Sequence, residues 1–337
     1  KIQKAIEHGS KIAQIASFAP FRMRSLFITC FWILSISLGF SQTQVTLKEA
    51  GKLTLEKMNG RDIQKLKDSV WLVQGNTNIY CDSAYLNKLT NSAEAFGHVR
   101  IIDSVDLVNI SSDYLEYDGN SRIAKLRNNV VMKDDSVTLY TDHLDYNRNT
   151  KIGNYFKGGR LVDLNNDLKS LKAYYDTETK LARFYQEVDM KNQDFELETD
   201  TLYYNTESSL SETKGYTKAV TTDGDTLKTA TGLLYNRKEL YAEIYQGYLS
   251  NVSYYVEADT IFADDKNLTY RASQNIKMIS KEYSLTIYGN QGSYNKLSKD
   301  AIVYDQAYLR KMLEGDSLFI SADTLYTNQK DEENKFL

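Results

Sequence analysis

From Trp71 onward, apolar and polar residues alternate in short runs, and the runs come in pairs. One run reads apolar-x-apolar-x-small, then Asp-x-Leu-x-Tyr, then Asn or Asp. It appears as Ile79–Asn87 (IYCDSAYLN), Ile110–Asp118 (ISSDYLEYD), Val137–Asn147 (VTLYTDHLDYN), Phe195–Asn205 (FELETDTLYYN), Tyr254–Asp264 (YYVEADTIFAD) and Leu318–Asn328 (LFISADTLYTN). Weaker copies end at Tyr175, Tyr235 and Tyr294, which makes nine copies at steps of 28 to 33 residues. A fixed period of this length marks a repeat architecture.

Each period holds a second run, such as Ala93–Ile101, Ala182–Met190 or Ala242–Leu249. Both runs are rich in Tyr, Thr, Val, Ile and Leu and alternate with period two, so both read as strands. Turn residues separate them: Asp118-Gly119-Asn120 and Asn147-Arg148-Asn149 on one side, Asp134-Asp135, Asn165-Asn166-Asp167 and Asp223-Gly224-Asp225 on the other. The expected fold is all-β, a long antiparallel meander of roughly 17 to 18 strands. Only Gly60–Ser69 carries a weak helical spacing.

The phrase also changes parity. In Val137–Asn147 the apolar or small positions are 137, 139 and 141, then Asp142, then 144 and 146, and the same step occurs at Thr199-Asp200, Ala258-Asp259, Gly289-Asn290 and Ala322-Asp323. The copy ending at Tyr235 departs from it. A straight strand cannot keep one face inward across such a step, because side chains alternate strictly. A bulge or bend restores the direction. The expectation is a strand bent at each small-Asp step, with two arms facing a shared interior and the Asp bonded to backbone at the bend. At about 4.8 Å per strand, the array extends on the order of 80 Å.

Composition agrees. The sequence has one proline, Pro20, in 337 residues, and a continuous ladder excludes proline except at edges and bulges. With 42% hydrophobic and 26% charged residues, the chain is neither disordered, collagenous nor a multi-span membrane protein. Arg22-Met23-Arg24 precedes an apolar run, Leu26–Phe40, that is shorter than a spanning helix and ends at Gly39-Phe40-Ser41. It reads as a secretory signal peptide over 23–41, cleaved before Gln42, with 1–22 an upstream extension. Residues 42–69 read as a lead-in and 70–337 as the repeat array, which is expected to continue past Leu337.

Residues 1–41 hold five of the 41 basic and one of the 45 acidic residues, so 42–337 is left with a net charge of -8. That charge disfavours nucleic acid. One cysteine, Cys81, and two histidines, His98 and His143, remain there. They fit neither a disulfide framework nor a metal centre. No phosphate-binding loop, nucleophile elbow or zinc-protease motif occurs, so neither a cofactor nor catalysis is expected. The recurring Asp82, Asp113, Asp142, Asp200, Asp259 and Asp323 hold one repeat position, which suits a structural task better than a catalytic pair or a calcium site.

The Ala/Ser-Asp-x-Leu-x-Tyr phrase, followed by a turn and a Gly-x-Val strand such as Gly97-His98-Val99, resembles the LptA/OstA (organic solvent tolerance-like) family. Tyr80–Leu86 looks like the version found in exported OstA-like proteins of Bacteroidetes. The resemblance covers about residues 70–328. It implies a β-jellyroll that carries lipopolysaccharide through the periplasm toward the outer membrane, and partners that are other Lpt-type jellyrolls joined at sheet edges. No catalytic residue comes with it.

On this reading the lining of the interior is the candidate lipid site: Ile79, Ile110, Val137, Leu139, Leu144, Phe195, Leu197, Leu202, Val256, Ile261, Leu318, Ile320 and Leu325. Burying acyl chains there gains about 0.8 kcal/mol per CH₂. The alternative is a structural or adhesive repeat protein in which these side chains simply fill the core.

Overall fold

The computed structural model describes residues 43–328, apart from Asn59 and Asp106, and the short strand Lys335–Phe336. The expectations for residues 1–41, the signal peptide and the upstream extension, fall outside the described residues. Among the described residues of the unit that runs from Gln42 to Leu337, 25 strands form one sheet. Most successive strands pair antiparallel, as Arg61–Gln74 with Thr77–Asn87 and Thr77–Asn87 with Ser92–Asp103. The sheet already begins at Thr46–Glu49 and Lys52–Met58, both of which pair with Arg61–Gln74. The stretch with weak helical spacing is therefore strand: Leu66, Val70 and Leu72 point into the core.

The bend lies where the parity changes. Strand Val137–Asn147 matches Arg127 to His143 and Val130 to Thr141. Asp142 thus faces two residues, Asn128 and Asn129, both in the left-handed region at φ 61° and 51°. The corner recurs with Asp82 against Gly97 and His98, Asp200 against Gln186 and Glu187, and Asp259 against Gln274 and Asn275. Two residues opposing one is a bulge, and it turns the ladder sharply. A strand that gives two residues to the corner keeps its inward parity, as Ala124, Leu126, Val130 and Met132 show. A strand that gives one residue changes it, so Leu139 and Leu144 are both buried in a single apolar cluster. Every bent strand therefore has two arms whose inner faces share one core. The first arm lies before the corner in strands such as Val137–Asn147 and, because the chain reverses at each turn, after it in the antiparallel neighbours such as Ile123–Asp134. This is the expected all-β meander of bent strands, a β-jellyroll.

The corner aspartates differ from expectation in their partners. Asp142 does accept a backbone bond, from Asn129 N–H at 3.2 Å. Asp113 and Asp259 instead accept from the side-chain amides of Asn129 and Asn275, at 2.6 and 2.9 Å, and Asp82 meets His98 Nδ1 at 2.8 Å. The paired residue in the left-handed conformation presents its own side chain to the carboxylate.

The departing copy turns the corner by other means. In Thr226–Asn236, Ala230 and Thr231 oppose Gln246, and Gly232 takes φ +114°. A Cβ there would lie 2.2 Å from the Thr213 carbonyl oxygen. Gly232→Ala is expected to lower stability by about 1–3 kcal/mol, read as a reduced urea midpoint.

The last residue of the phrase closes the turn. Asn87, Asn147, Asn205, Asn236 and Asn295 each accept two backbone N–H bonds from the residues that follow, and Asp176 does the same. A side chain that mimics the turn carbonyl explains why the phrase ends in Asn or Asp.

Candidate functional site: the interior between the arms

Cross-strand register carries an apolar row along the whole first arm. Leu72 faces Ile79, which faces Ile101, then Ile110, Met132 and Leu139. Further on, Leu197 faces Ala219, then Leu227, Leu249, Val256, Met278, Ile287, Leu309 and Ile320. The second arm carries a facing row that includes Leu115, Leu126 and Leu144, and later Leu233, Ile244 and Ile261. Side chains two positions apart along a strand share a face, so each row is an outcome of the period-two pattern.

The rows are not equally covered. Of the expected lining, Ile79, Ile110, Val137, Leu139, Leu144, Leu197, Leu202 and Ile261 are buried in one cluster, and Phe195 and Val256 are half-buried against it. Leu325 is half-buried, whereas Leu318 and Ile320 are 45% and 46% exposed. The phrase tyrosine reports the same change. Tyr117, Tyr146, Tyr175 and Tyr204 point inward and are 0–3% exposed, while Tyr235 and Tyr294 are half-buried. A small apolar cavity of about 120 Å³ opens beside this later stretch, lined by Tyr254, Val256, Met278, Leu285 and Ile287 among others.

Polar side chains join the two rims over the earlier repeats, and sequence reasoning missed them. Tyr117 hydroxyl donates to Gln74 Oε1, and Gln74 Nε2 donates to Gly119 O at 2.7 Å. Arg148 reaches Asp103 at 2.6 Å, with both side chains at most 10% exposed. Asp134 receives Tyr175 hydroxyl and Lys180 Nζ, each at 2.7 Å. Tyr204 hydroxyl donates to Asp163 at 2.5 Å and accepts from Asn166 at 2.8 Å. Arg237 meets Asp194 at 3.0 Å. Burial, then the bond to the carboxylate, raises the phenols of Tyr175 and Tyr204, so each stays protonated and donates. Burial works against the Arg148 charge, but Tyr117 and Asp103 outweigh it and raise its pKa.

The first-rim aspartates sit at 103, 134, 163, 194 and 225, and that period was the available signal. At the N-terminal end, Val45 is buried, its N–H bonds Asn91 Oδ1 at 2.7 Å, and Thr43 O accepts from Gln74 at 2.5 Å. The segment Thr43–Val45 therefore lies across the two rims there.

Outside the interior, a groove of about 650 Å³ lies along the outer side of the first arm near the corner. Trp71 stacks on Tyr80, and Arg100 lies over the Tyr80 ring at 5.5 Å. Those ring faces are already paired within the sheet. Among the described residues, no three His, Cys, Asp or Glu side chains come together in a way that could hold a metal ion. Cys81 is buried, and burial pushes its thiol up to about 12, which leaves it unreactive.

Two bent arms around an apolar interior, repeated strand after strand, can now be set beside known proteins. Residues 42–200 match the family model described as OstA-like protein. This stretch belongs to the OstA-like family. Among solved structures, the chain is similar to LptH, the LptA homologous periplasmic component of the conserved lipopolysaccharide transport device from Pseudomonas aeruginosa. The identity is 15% and the TM-score 0.29, over 32% of this chain and 81% of that one. No curated protein matches. The OstA-like match ends at Asp200, but the same bent-strand repeat continues from Leu210–Thr221 to Thr324–Asn328.

Proposed function

We propose that this OstA-like protein is a non-enzymatic periplasmic bridge that binds lipopolysaccharide or a related glycolipid on its way to the outer membrane. The observation that carries the reading is the first-arm apolar row, which continues register by register from a fully covered interior into a half-buried stretch, while Leu233, Ile244 and Ile261 in the facing row stay buried. A filled structural array would cover its rows throughout. Here Tyr235, Leu249, Val256 and Met278 are only half-buried, so apolar surface is available to an acyl chain at about 25 cal/mol per Å². With a net charge of -8 on residues 42–337, the acyl contacts dominate over broad electrostatic attraction. Other Lpt-type jellyrolls dock by strand addition at a sheet edge. The strand Asp316–Ser321 suits this, since Leu318, Phe319 and Ile320 are 45–63% exposed.

A photo-crosslinking residue at Met278 is expected to capture lipopolysaccharide in cells, and one at the outward-facing Tyr203 is not. Equal capture at the two positions sinks the reading.

A further inference from the structure

We propose that acyl chains occupy only the part of the interior after about residue 226, and that the polar latches across the rims set that boundary. This rests on the lipid-binding reading above and locates its site. Four latches, at Asp103, Asp134, Asp163 and Asp194, tie the first rim to the second, with Gln74 tying it to Tyr117 before them.

The next aspartate in the series breaks the pattern. Asp225 receives Asn251 Nδ2 at 2.7 Å, and its other neighbour is Tyr254 hydroxyl at 3.5 Å. Both partners belong to the first arm, so this contact runs along one rim and does not cross the interior. The place on the second rim that Arg148 and Arg237 hold in their repeats is taken here by an acid, Asp265, and the next residue, Lys266, pairs with Glu239 at 3.3 Å on its own rim. From this point the inward tyrosines lose their full burial.

The boundary latch is also the weakest. Asp194 is 56% exposed, and Arg237 Nη1 is buried with no hydrogen-bond partner. A buried donor left unpaired is costly, so this is the latch that opens with least loss. The occupant is an anionic amphiphile. The open slot is apolar, and the second rim beside it, past Lys238 bonded to Glu207 O and Lys266 held by Glu239, carries the exposed ammonium groups of Lys296 and Lys299. The head group rests on those ammonium groups, and the tails enter between the rows.

The test uses methyl-labelled protein and a stearate that carries a nitroxide near its tail, read by NMR line broadening. The expected result is broadening of Leu249, Val256 and Met278 methyls, with Ile110, Leu139 and Leu144 sharp. In Arg237→Gln, broadening is expected to spread to Leu197 and Met190 while the Leu126 and Leu144 shifts stay in place. Equal broadening at Leu139 and Met278 in the unmodified protein overturns the boundary but leaves lipid binding standing. An unmoved boundary in Arg237→Gln overturns the role of the latch. No broadening at any methyl overturns the lipid reading and this proposal together.

Discussion

Arg148→Met is expected to destabilise the protein by about 3–5 kcal/mol, because it leaves the buried Asp103 carboxylate without its cation. Arg148 and Asp103 are 10% and 8% exposed and 2.6 Å apart. Arg148 also donates to Tyr117 hydroxyl at 3.2 Å, and that hydroxyl in turn bonds Gln74. One substitution therefore loosens two successive latches. Asp103 keeps Thr77 hydroxyl at 2.9 Å and Val105 N–H at 3.0 Å, so its turn survives, but a charge remains in a dry site. The double variant Arg148→Met/Asp103→Asn removes that charge and keeps an acceptor for Thr77, so part of the loss is expected to return. Arg237→Gln, at the exposed latch, is expected to cost under about 1 kcal/mol. Urea unfolding followed by Trp71 fluorescence measures all three. A loss for Arg148→Met no larger than that for Arg237→Gln would show that the buried latch does not hold the arms.

Much of the fold is legible in the chain because its causes are local. The parity step in VTLYTDHLDYN forces a bend, and Asn or Asp at the strand end closes a turn on its own following amides. Both effects act within a few residues, so they repeat wherever the phrase repeats. The strand at Arg61–Gln74 was harder to read because its core residues, Leu66, Val70 and Leu72, straddle a two-residue corner at Asp68 and Ser69. That insertion gives a spacing of four, which imitates a helix. The parity rule was incomplete for the same reason: a strand that gives two residues to the corner shows no step at all.

The site was only half legible. The apolar rows follow from alternation, so the expected lining residues do face the interior or continue its rows. How far each is covered depends on contacts between the rims, such as Asp103 with Arg148 or Asp134 with Lys180, which are 45 and 46 residues apart in the chain. Nothing local distinguishes Asp194, which bonds across the interior, from Asp225, which bonds along its own rim. The difference lies in what the second rim places opposite: Arg237 in one case, and at the equivalent position the acid Asp265, followed by a Lys266 held by Glu239, in the other.

Phe184→Ala is expected to cost about 3–5 kcal/mol, the range for truncating a fully buried aromatic. Phe184 is 0% exposed and lies between Ala173 and Leu202 in the second-arm row. The small alanine beside it shows that the ring fills space its neighbour leaves, so truncation opens a cavity that close packing cannot collapse. Its position, inside the latched stretch, keeps water out of that cavity. Met278→Ala removes a residue from the opposite row in the open stretch, where the side chain is already half-exposed. There water or an acyl chain takes the vacated volume, and the expected loss is less than half as large. The two substitutions also separate stability from ligand binding. Phe184→Ala lowers the urea midpoint and leaves the affinity of the folded protein for a nitroxide stearate unchanged. Met278→Ala lowers that affinity and moves the midpoint less than half as far. The reverse assignment would place the ligand in the latched stretch and the packed core in the open one, contrary to the full burial of Phe184 and the half-burial of Met278.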